Sequence, residues 1–326
     1  MKRHKVIIPQ SIAEEGLEVL KKAGCETVVF QNADREMLMA EVSDCAAILV
    51  RTTVIDRELI VRGRNLKVIA RHGVGLDNVD IAAATEHGVK VCNAPLSNIN
   101  SVAEHVVGMM IALSHQIVRA DKALRQGKFE VRNTYIGTEL KGKTVGIIGF
   151  GNIGRLVAKK CAFGLEMKVV VYDPYVRDMR EWTYVRKAET LDELLEESDY
   201  VSLHMPYVPE MHHFINAETF RKMKKTAFFI NAARGGLVDE GALYDALVSG
   251  AIAGAGLDCF EQEPAPRSHP LWQLENVVVT PHMAAHTKES MIAMAVHAAE
   301  EIVRVLSGQE PKWCVNWQDL LDRGGS

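Results

Sequence analysis

The segment TVGIIGFGNIGRLVAKK sets Gly149, Gly151 and Gly154 at the spacing GxGxxG, directly after a strand-like apolar run and at the opening of a helical pattern. Each glycine has its own task in holding a dinucleotide. Gly149 allows the tight turn, Gly151 lets backbone approach a pyrophosphate, and Gly154 lets the helix pack on the strand. The helix N-terminus then offers amide donors and the positive end of its dipole to the phosphates. The next strand-like run, KVVVYD, ends in Asp173, nineteen residues past Gly154. An acid there meets the ribose hydroxyls of NAD, and its charge would repel the 2′-phosphate of NADP. A lone GxGxxG is weak. Strand, helix and acid together favour an NAD site over a glycine-rich turn with a loop aspartate nearby.

Arg234 follows the apolar run AFFINAA and precedes Gly235 and Gly236. An arginine at the end of a buried strand is costly unless it holds an anion. That anion is either a carboxylate of the protein, with Asp239 and Glu240 the nearest candidates, or an anionic ligand. In PHMAAHT, His282 and His286 stand four apart, a spacing that can set two metal ligands on one helical face. HMAAH lacks the glutamate of HExxH and no third ligand has recognisable spacing, so no metal site is expected. His212 and His213, in MHHFI, read as an exposed loop.

Composition narrows the classes. The chain has 326 residues, 48% hydrophobic and 25% charged, with a net charge of −4. That is an ordinary globular composition of about two domains, with no basic field for nucleic acid. Six scattered cysteines without CxxC spacing read as buried free thiols in a reducing compartment. The N-terminal apolar run is too short for a signal peptide, and no stretch approaches the ~20 apolar residues of a membrane span. A cytoplasmic protein without membrane or nucleic-acid partners is the expectation.

The elements that must position these residues alternate along the chain. KVIIP, ETVVF, AAILVR, LKVIAR and VKVCNA read as strands between helical patterns, and a second such series begins at TVGIIG and runs to VVVT. This predicts an α/β protein of two doubly wound parallel-sheet domains. Between the two series lies SVAEHVVGMMIALSHQIVRADKALRQGK, read as one long helix starting at Ser101, which with Glu104 forms a capping box. Val102, Val106, Val107, Met109, Met110, Ile111 and Leu113 exceed a single apolar stripe. The helix is therefore expected between domains or in a homodimer interface, because a monomer would expose a large apolar patch.

RHGVGLDNVD, NSVAEHVVGMMIAL, GIIGFGNIGR, NAARGGLVDEGAL, GLDCFEQEP and TPHMAAHT follow one another in that order. On these motifs the chain resembles the D-2-hydroxyacid dehydrogenase family over nearly its whole length, and most closely its phosphoglycerate dehydrogenase and hydroxypyruvate reductase branches. The resemblance implies a Rossmann NAD domain over residues 100–287. It also implies a discontinuous, flavodoxin-like substrate domain over 1–99 plus 288–326, with the active site in the cleft. Arg234 becomes the arginine that holds the substrate carboxylate and 2-oxo oxygen, a task suited to a planar, permanently charged guanidinium. His282 becomes the acid/base, and Glu263 the carboxylate that pairs with it and raises its pKa. Asn152 and Ile153 are placed at the pyrophosphate turn, and Ala232 and Asp258 near the nicotinamide. Asp258 would otherwise be an acid among apolar neighbours without a donor. The amides near Val74 and Gly75 are expected to bind the substrate carboxylate in a backbone nest. Arg51 and Arg71 match positions that face a substrate phosphate, or are surface arginines.

The function expected is reversible hydride transfer between NAD(H) and a small D-2-hydroxy or 2-oxo acid, 3-phosphoglycerate or glycerate/hydroxypyruvate, by a homodimer. The alternative is an NAD(H)-sensing protein of corepressor type, since such proteins resemble the same family. The chain ends at Ser326, so feedback through a C-terminal regulatory domain is not expected. His286 departs from the smaller residue typical of the family.

Overall fold

The computed structural model describes residues 4–324. The first series contains β1 (Lys5–Ile8), α1 (Glu14–Lys22), β2 (Glu26–Val29), α2 (Arg35–Glu41), β3 (Ala47–Val50), α3 (Arg57–Arg62), β4 (Val68–Arg71), α4 (Ile81–Glu86) and β5 (Lys90–Cys92). Two helices follow, α5 (Ile99–Ser114) and α6 (Ile117–Arg125). The second series runs β6 (Thr144–Ile148), α7 (Asn152–Gly164), β7 (Lys168–Tyr172), β8 (Val185–Lys187), α8 (Leu191–Glu197) and β9 (Tyr200–Leu203). It continues with α9 (Ala217–Lys222), β10 (Phe228–Asn231), α10 (Glu240–Val248), β11 (Gly254–Leu257) and β12 (Val277–Val279). Helices α11 (Lys288–Leu306) and α12 (Trp317–Gly324) close the chain.

The chain forms two compact units, one of residues 1–98 with 286–326 and one of 99–285. The first holds a five-stranded parallel sheet in the order β2-β1-β3-β4-β5, the flavodoxin-like order. The second holds a seven-stranded parallel sheet in the order β12-β11-β10-β9-β6-β7-β8, the Rossmann order with a further strand. The central strands of both sheets are buried on both faces, which is why they read as unbroken apolar runs. In β1, Ile7 packs into one core layer while Val6 and Ile8 pack into the other. In β6, Val145 and Ile147 face one layer and Ile148 the opposite one. Ala298, Ala299, Ile302 and Val305 of α11 pack in the layer of Val6, Ile8 and Leu49, so the closing helix completes the core of the first unit.

The long helix departs from expectation in three ways. It starts at Ile99, so Ser101 lies inside the first turn; its hydroxyl donates to Ala284 O at 2.8 Å, while Glu104 accepts from Asn100 and Lys160. The capping box does not form, because both side chains have tertiary partners. The helix also breaks after Ser114, where the carbonyl accepts from Thr138 N at 2.9 Å and Gln116 turns left-handed at φ 54°. Helix α6 continues at 61° to α5. Finally, Val106, Met109, Met110 and Leu113 are buried within the second unit against Val145, Ile147 and Ile230, and Val102 is buried as well. Much of the face that was expected to need a partner is covered by the unit's own sheet and α7, while Val107 and Ile111 stay half-buried. The exposed apolar side chains lie further on, at Ile117, Val118, Leu124, Phe129 and Ile136. Among the described residues, no single helix is long and apolar enough to cross a membrane.

Candidate active site

The glycine turn sits where the strand order of the second sheet reverses, between β6 and β9. Parallel α/β sheets place ligands at the carboxyl ends of the strands beside such a reversal. Gly149 has φ 89°, and a Cβ there would stand 2.6 Å from the carbonyl oxygen of His204, just past β9. A Cβ on Gly154 would stand 2.3 Å from Gly149 O, so α7 lies directly on the turn. Gly151 is the exposed N-cap of α7 and has no side-chain cap, which leaves the first amides available to an anion. Asn152 is exposed beside it and Ile153 half-buried. Asp173, after β7, accepts Phe150 N at 2.8 Å and Tyr175 N at 2.9 Å. Its carboxylate is thereby fixed beside the glycine turn, with lone pairs remaining for a diol. Open glycine backbone, bare helix amides and a fixed acid fit a dinucleotide.

At the ends of β10, β11 and β12 stand the groups able to handle a keto acid. Asn231, buried at the end of β10, accepts Ala233 N at 3.0 Å and donates to Arg234 O at 2.9 Å. Its side chain shapes the turn that carries half-buried Ala232 and Arg234. Gly235 must follow, because a Cβ there would lie 1.9 Å from the backbone of Phe260. Asp239 caps α10 through Ala242 N, and Glu240 pairs with His269 at 2.9 Å. The two acids considered as partners for Arg234 thus have other work.

His282 stands in the left-handed region at φ 48°. Its Nδ1 meets Glu263 Oε2 at 2.6 Å, while Glu263 Oε1 accepts Phe260 N at 3.0 Å. The hydrogen bond to Glu263 raises the pKa of His282, against burial and the charge of Arg234, which lower it. Burial alone would raise Glu263, but the bonds from His282 and Phe260 N and the charges of His282 and Arg234 hold it below its usual range. The two shifts share one cause, the short bond between the two side chains, and both favour the ion-paired form beside the charge of Arg234.

Asp258 has donors of its own. Oδ1 accepts Thr280 Oγ1 at 2.5 Å and Met283 N at 2.8 Å, and Oδ2 accepts Ala284 N at 2.8 Å. This buried carboxylate clamps the turn that displays His282, and its burial is explained without a nicotinamide carboxamide. His105 of α5 joins the clamp through Thr280 Oγ1 at 2.9 Å.

In the first unit, Arg51 and Arg71 lie at the carboxyl ends of the adjacent strands β3 and β4. Arg51 donates to Ser11 O at 3.0 Å, and Arg71 to His72 O. Both charges reach His72, which is 3% exposed; burial first, then Arg51, depress its pKa to about 4 and keep it neutral. Val74 and Gly75 are half-buried in the loop after β4, with Val74 O held by Asn93 Nδ2 at 2.9 Å. His286 is exposed at the return of the chain to this unit. His212 is exposed and stacked on half-buried His213, which approaches Glu261 at 3.1 Å.

With this geometry the comparisons with known proteins agree. Residues 107–284 match the model of the D-isomer specific 2-hydroxyacid dehydrogenase, NAD binding domain. The chain belongs to the D-isomer specific 2-hydroxyacid dehydrogenase family. A D-3-phosphoglycerate dehydrogenase of Archaeoglobus fulgidus is 43% identical over 96% of this chain and 59% of the relative. A glyoxylate reductase of Thermofilum pendens is 44% identical over 99% of this chain and 97% of the relative. Among solved structures, a Thermus thermophilus protein superposes with a TM-score of 0.88 at 33% identity, covering 95% of this chain and 99% of that one. A glyoxylate reductase of Paecilomyes thermophila superposes with a TM-score of 0.86 at 28% identity, covering 98% and 100%. The chain spans between about half and three fifths of the length of the phosphoglycerate dehydrogenases it matches.

Four residues of this family member escaped the sequence reading: Asn231, Thr280, His105 and His72. Asn231 and Thr280 adjoin the motifs of Arg234 and His282, but their partners come from other turns. His105 carried a signal, a polar side chain on an almost wholly apolar helix. His72 carried none beyond its place between Arg71 and a glycine.

Proposed function

We propose that the chain is an NAD-dependent D-2-hydroxyacid dehydrogenase, moving a hydride reversibly between NAD(H) and a small 2-hydroxy or 2-oxo acid. The observation that carries this reading is the His282–Glu263 pair at 2.6 Å in the field of Arg234. NADH supplies the hydride when bound. Arg234 binds the substrate carboxylate through two parallel hydrogen bonds and polarises the 2-oxo group. With Nδ1 engaged by Glu263, His282 gives its proton from Nε2 to the carbonyl oxygen, and takes it back in the reverse direction. Asp258 and Thr280 hold that histidine in place.

The substrate we assign is a polar three-carbon acid: hydroxypyruvate or its phosphate, with glycerate or 3-phosphoglycerate in the reverse direction. Support comes from two guanidinia at neighbouring strand ends beside a neutral imidazole, a setting that favours an anion, and from relatives named phosphoglycerate dehydrogenase and glyoxylate reductase. Assayed with NADH against phosphohydroxypyruvate, hydroxypyruvate, glyoxylate, pyruvate and 2-oxoisocaproate, the enzyme is expected to favour the first two. Arg51→Ala should raise KM for phosphohydroxypyruvate far more than for glyoxylate, which has no distal group. A highest kcat/KM on 2-oxoisocaproate defeats the substrate assignment. Failure on all five defeats the reaction class and favours a nucleotide-sensing role.

Asp173 leads to a preference for NADH over NADPH, measured as kcat/KM, and Asp173→Ala should narrow the gap. Equal use of NADPH by the unmodified enzyme removes this reading. The enzyme is proposed to act as a homodimer through the apolar surface of Ile117, Leu124, Phe129 and Ile136. Sedimentation as a stable monomer at micromolar concentration would argue against it.

A further inference from the structure

We propose that Cys92 and Cys314 form a paired oxidation site, converted by a hydroperoxide into a disulfide that staples the C-terminal segment to the edge of the five-stranded sheet. Cys92 ends β5, the edge strand, and Cys314 lies between α11 and α12, so the pair is far apart in sequence. In space they are directly opposite each other in an antiparallel bridge. Asn93 N donates to Trp313 O at 3.1 Å and Val315 N to Val91 O at 2.8 Å. These flanking bonds make Cys92 and Cys314 a non-hydrogen-bonded pair, the kind whose α-carbons stand about 4.5 Å apart with side chains on the same face. Disulfides span roughly 4.4–6.8 Å between α-carbons. Closure therefore requires little backbone movement.

The surroundings hold the backbone on both sides of the pair. Buried Asn316 accepts Val91 N at 2.9 Å and donates to Thr85 Oγ1 and Val89 O, and buried Glu301 accepts the amides of Lys312 and Trp313. The segment on each side of Cys314 is thus pinned to the unit's core. Cys92 is fully buried and Cys314 half-exposed, so an oxidant meets Cys314 first. Cys314 Sγ donates to Asn316 Oδ1 at 3.2 Å, and the facing thiol of Cys92 favours proton loss from Cys314, while Cys314 and burial oppose it at Cys92. Cys45 and Cys161 are buried and pushed up to about 12 by burial, which makes them poor thiolates.

The chemistry needs only hydrogen peroxide. The Cys314 thiolate attacks the O–O bond, gains one oxygen as a sulfenic acid, and releases hydroxide, which takes a proton to become water. The Cys92 sulfur then displaces the sulfenyl oxygen as a second water and forms the S–S bond. Two thiols lose two electrons and two protons to one peroxide, and a dithiol returns them. The staple lies beside the loop after β4: Asn93 Nδ2 holds Val74 O, and Ala94 N donates to Gly73 O at 2.8 Å. Oxidation should therefore also restrain residues 73–75.

The test is peptide mapping of the folded protein after peroxide treatment and alkylation. A linked peptide pair containing Cys92 and Cys314 is expected, two fewer free thiols by titration, and reversal by dithiothreitol. In Cys92→Ser the resolving sulfur is gone, and Cys314 should accumulate as a sulfenic acid trapped by dimedone. Hydrogen exchange at residues 73–75 should slow in the oxidised wild type and stay unchanged in peroxide-treated Cys314→Ser. Oxidation confined to Cys25, or linkage seen only after denaturation, would overturn the site. Unaltered exchange at 73–75 in a fully linked protein would overturn the coupling to the loop.

Discussion

Replacing His282 with alanine is expected to lower kcat for oxo-acid reduction by roughly 10²–10⁴, the usual worth of a placed proton donor. NADH binding, read by fluorescence, should persist, because the glycine turn and Asp173 are untouched. Near wild-type turnover would make His282 a structural residue. The pH profile gives an independent reading. Glu263 raises the pKa of His282, and reduction needs the imidazolium, so activity should hold until pH rises through that raised value and then fall. Glu263→Gln removes the charge that favours imidazolium, and burial and Arg234 both act to lower the pKa. The falling limb should move to lower pH in reduction, and the rising limb of hydroxy-acid oxidation, which needs neutral histidine, should move the same way. An unshifted profile would show that the pair at 2.6 Å does not govern the titration.

Arg234→Gln is expected to cost roughly 10²–10³ in kcat/KM, the scale on which loss of one donor to a developing oxyanion is felt. Arg234→Lys should recover only part of this, since an ammonium is a point charge without the planar fork that matches a carboxylate. Arg234 also opposes the imidazolium of His282, so its removal should push the falling limb to higher pH, opposite to Glu263→Gln. The opposed shifts separate loss of substrate binding from loss of fold. A lysine variant with full activity would defeat the bidentate role.

Much of this protein was legible before any coordinates. Strands buried on both faces are unbroken apolar runs, and the turn chemistry of Gly149, Gly151 and Gly154 is confined to six residues, so local patterns reported two parallel sheets and a nucleotide turn. Arg234, Glu263 and His282 were legible as members of family motifs, and Arg234 also by the oddity of a charge at a buried strand's end. The short edge strand β8 and the closing helix α12 were missed. β8 is three residues long with no buried position, and α12 follows a segment whose bridge partner is in β5.

What the sequence by itself determined was therefore what depends on neighbours in the chain: the period of each element, the dinucleotide turn, and the acid that follows it. Only the tertiary structure decided what depends on neighbours in space. An apolar helix has no marker for which surface will cover it, and α5 packs Val106, Met109, Met110 and Leu113 against its own sheet. A serine and a glutamate three residues apart form a capping box only if nothing else bonds them, and Ala284 O and Lys160 bonded them. Asp258 needed donors that a linear reading assigned to a cofactor, and the turn of His282 supplied them. Cys92 and Cys314 stand opposite each other because parallel strands order the chain by crossovers, and no spacing along it records which residues those crossovers bring to one edge.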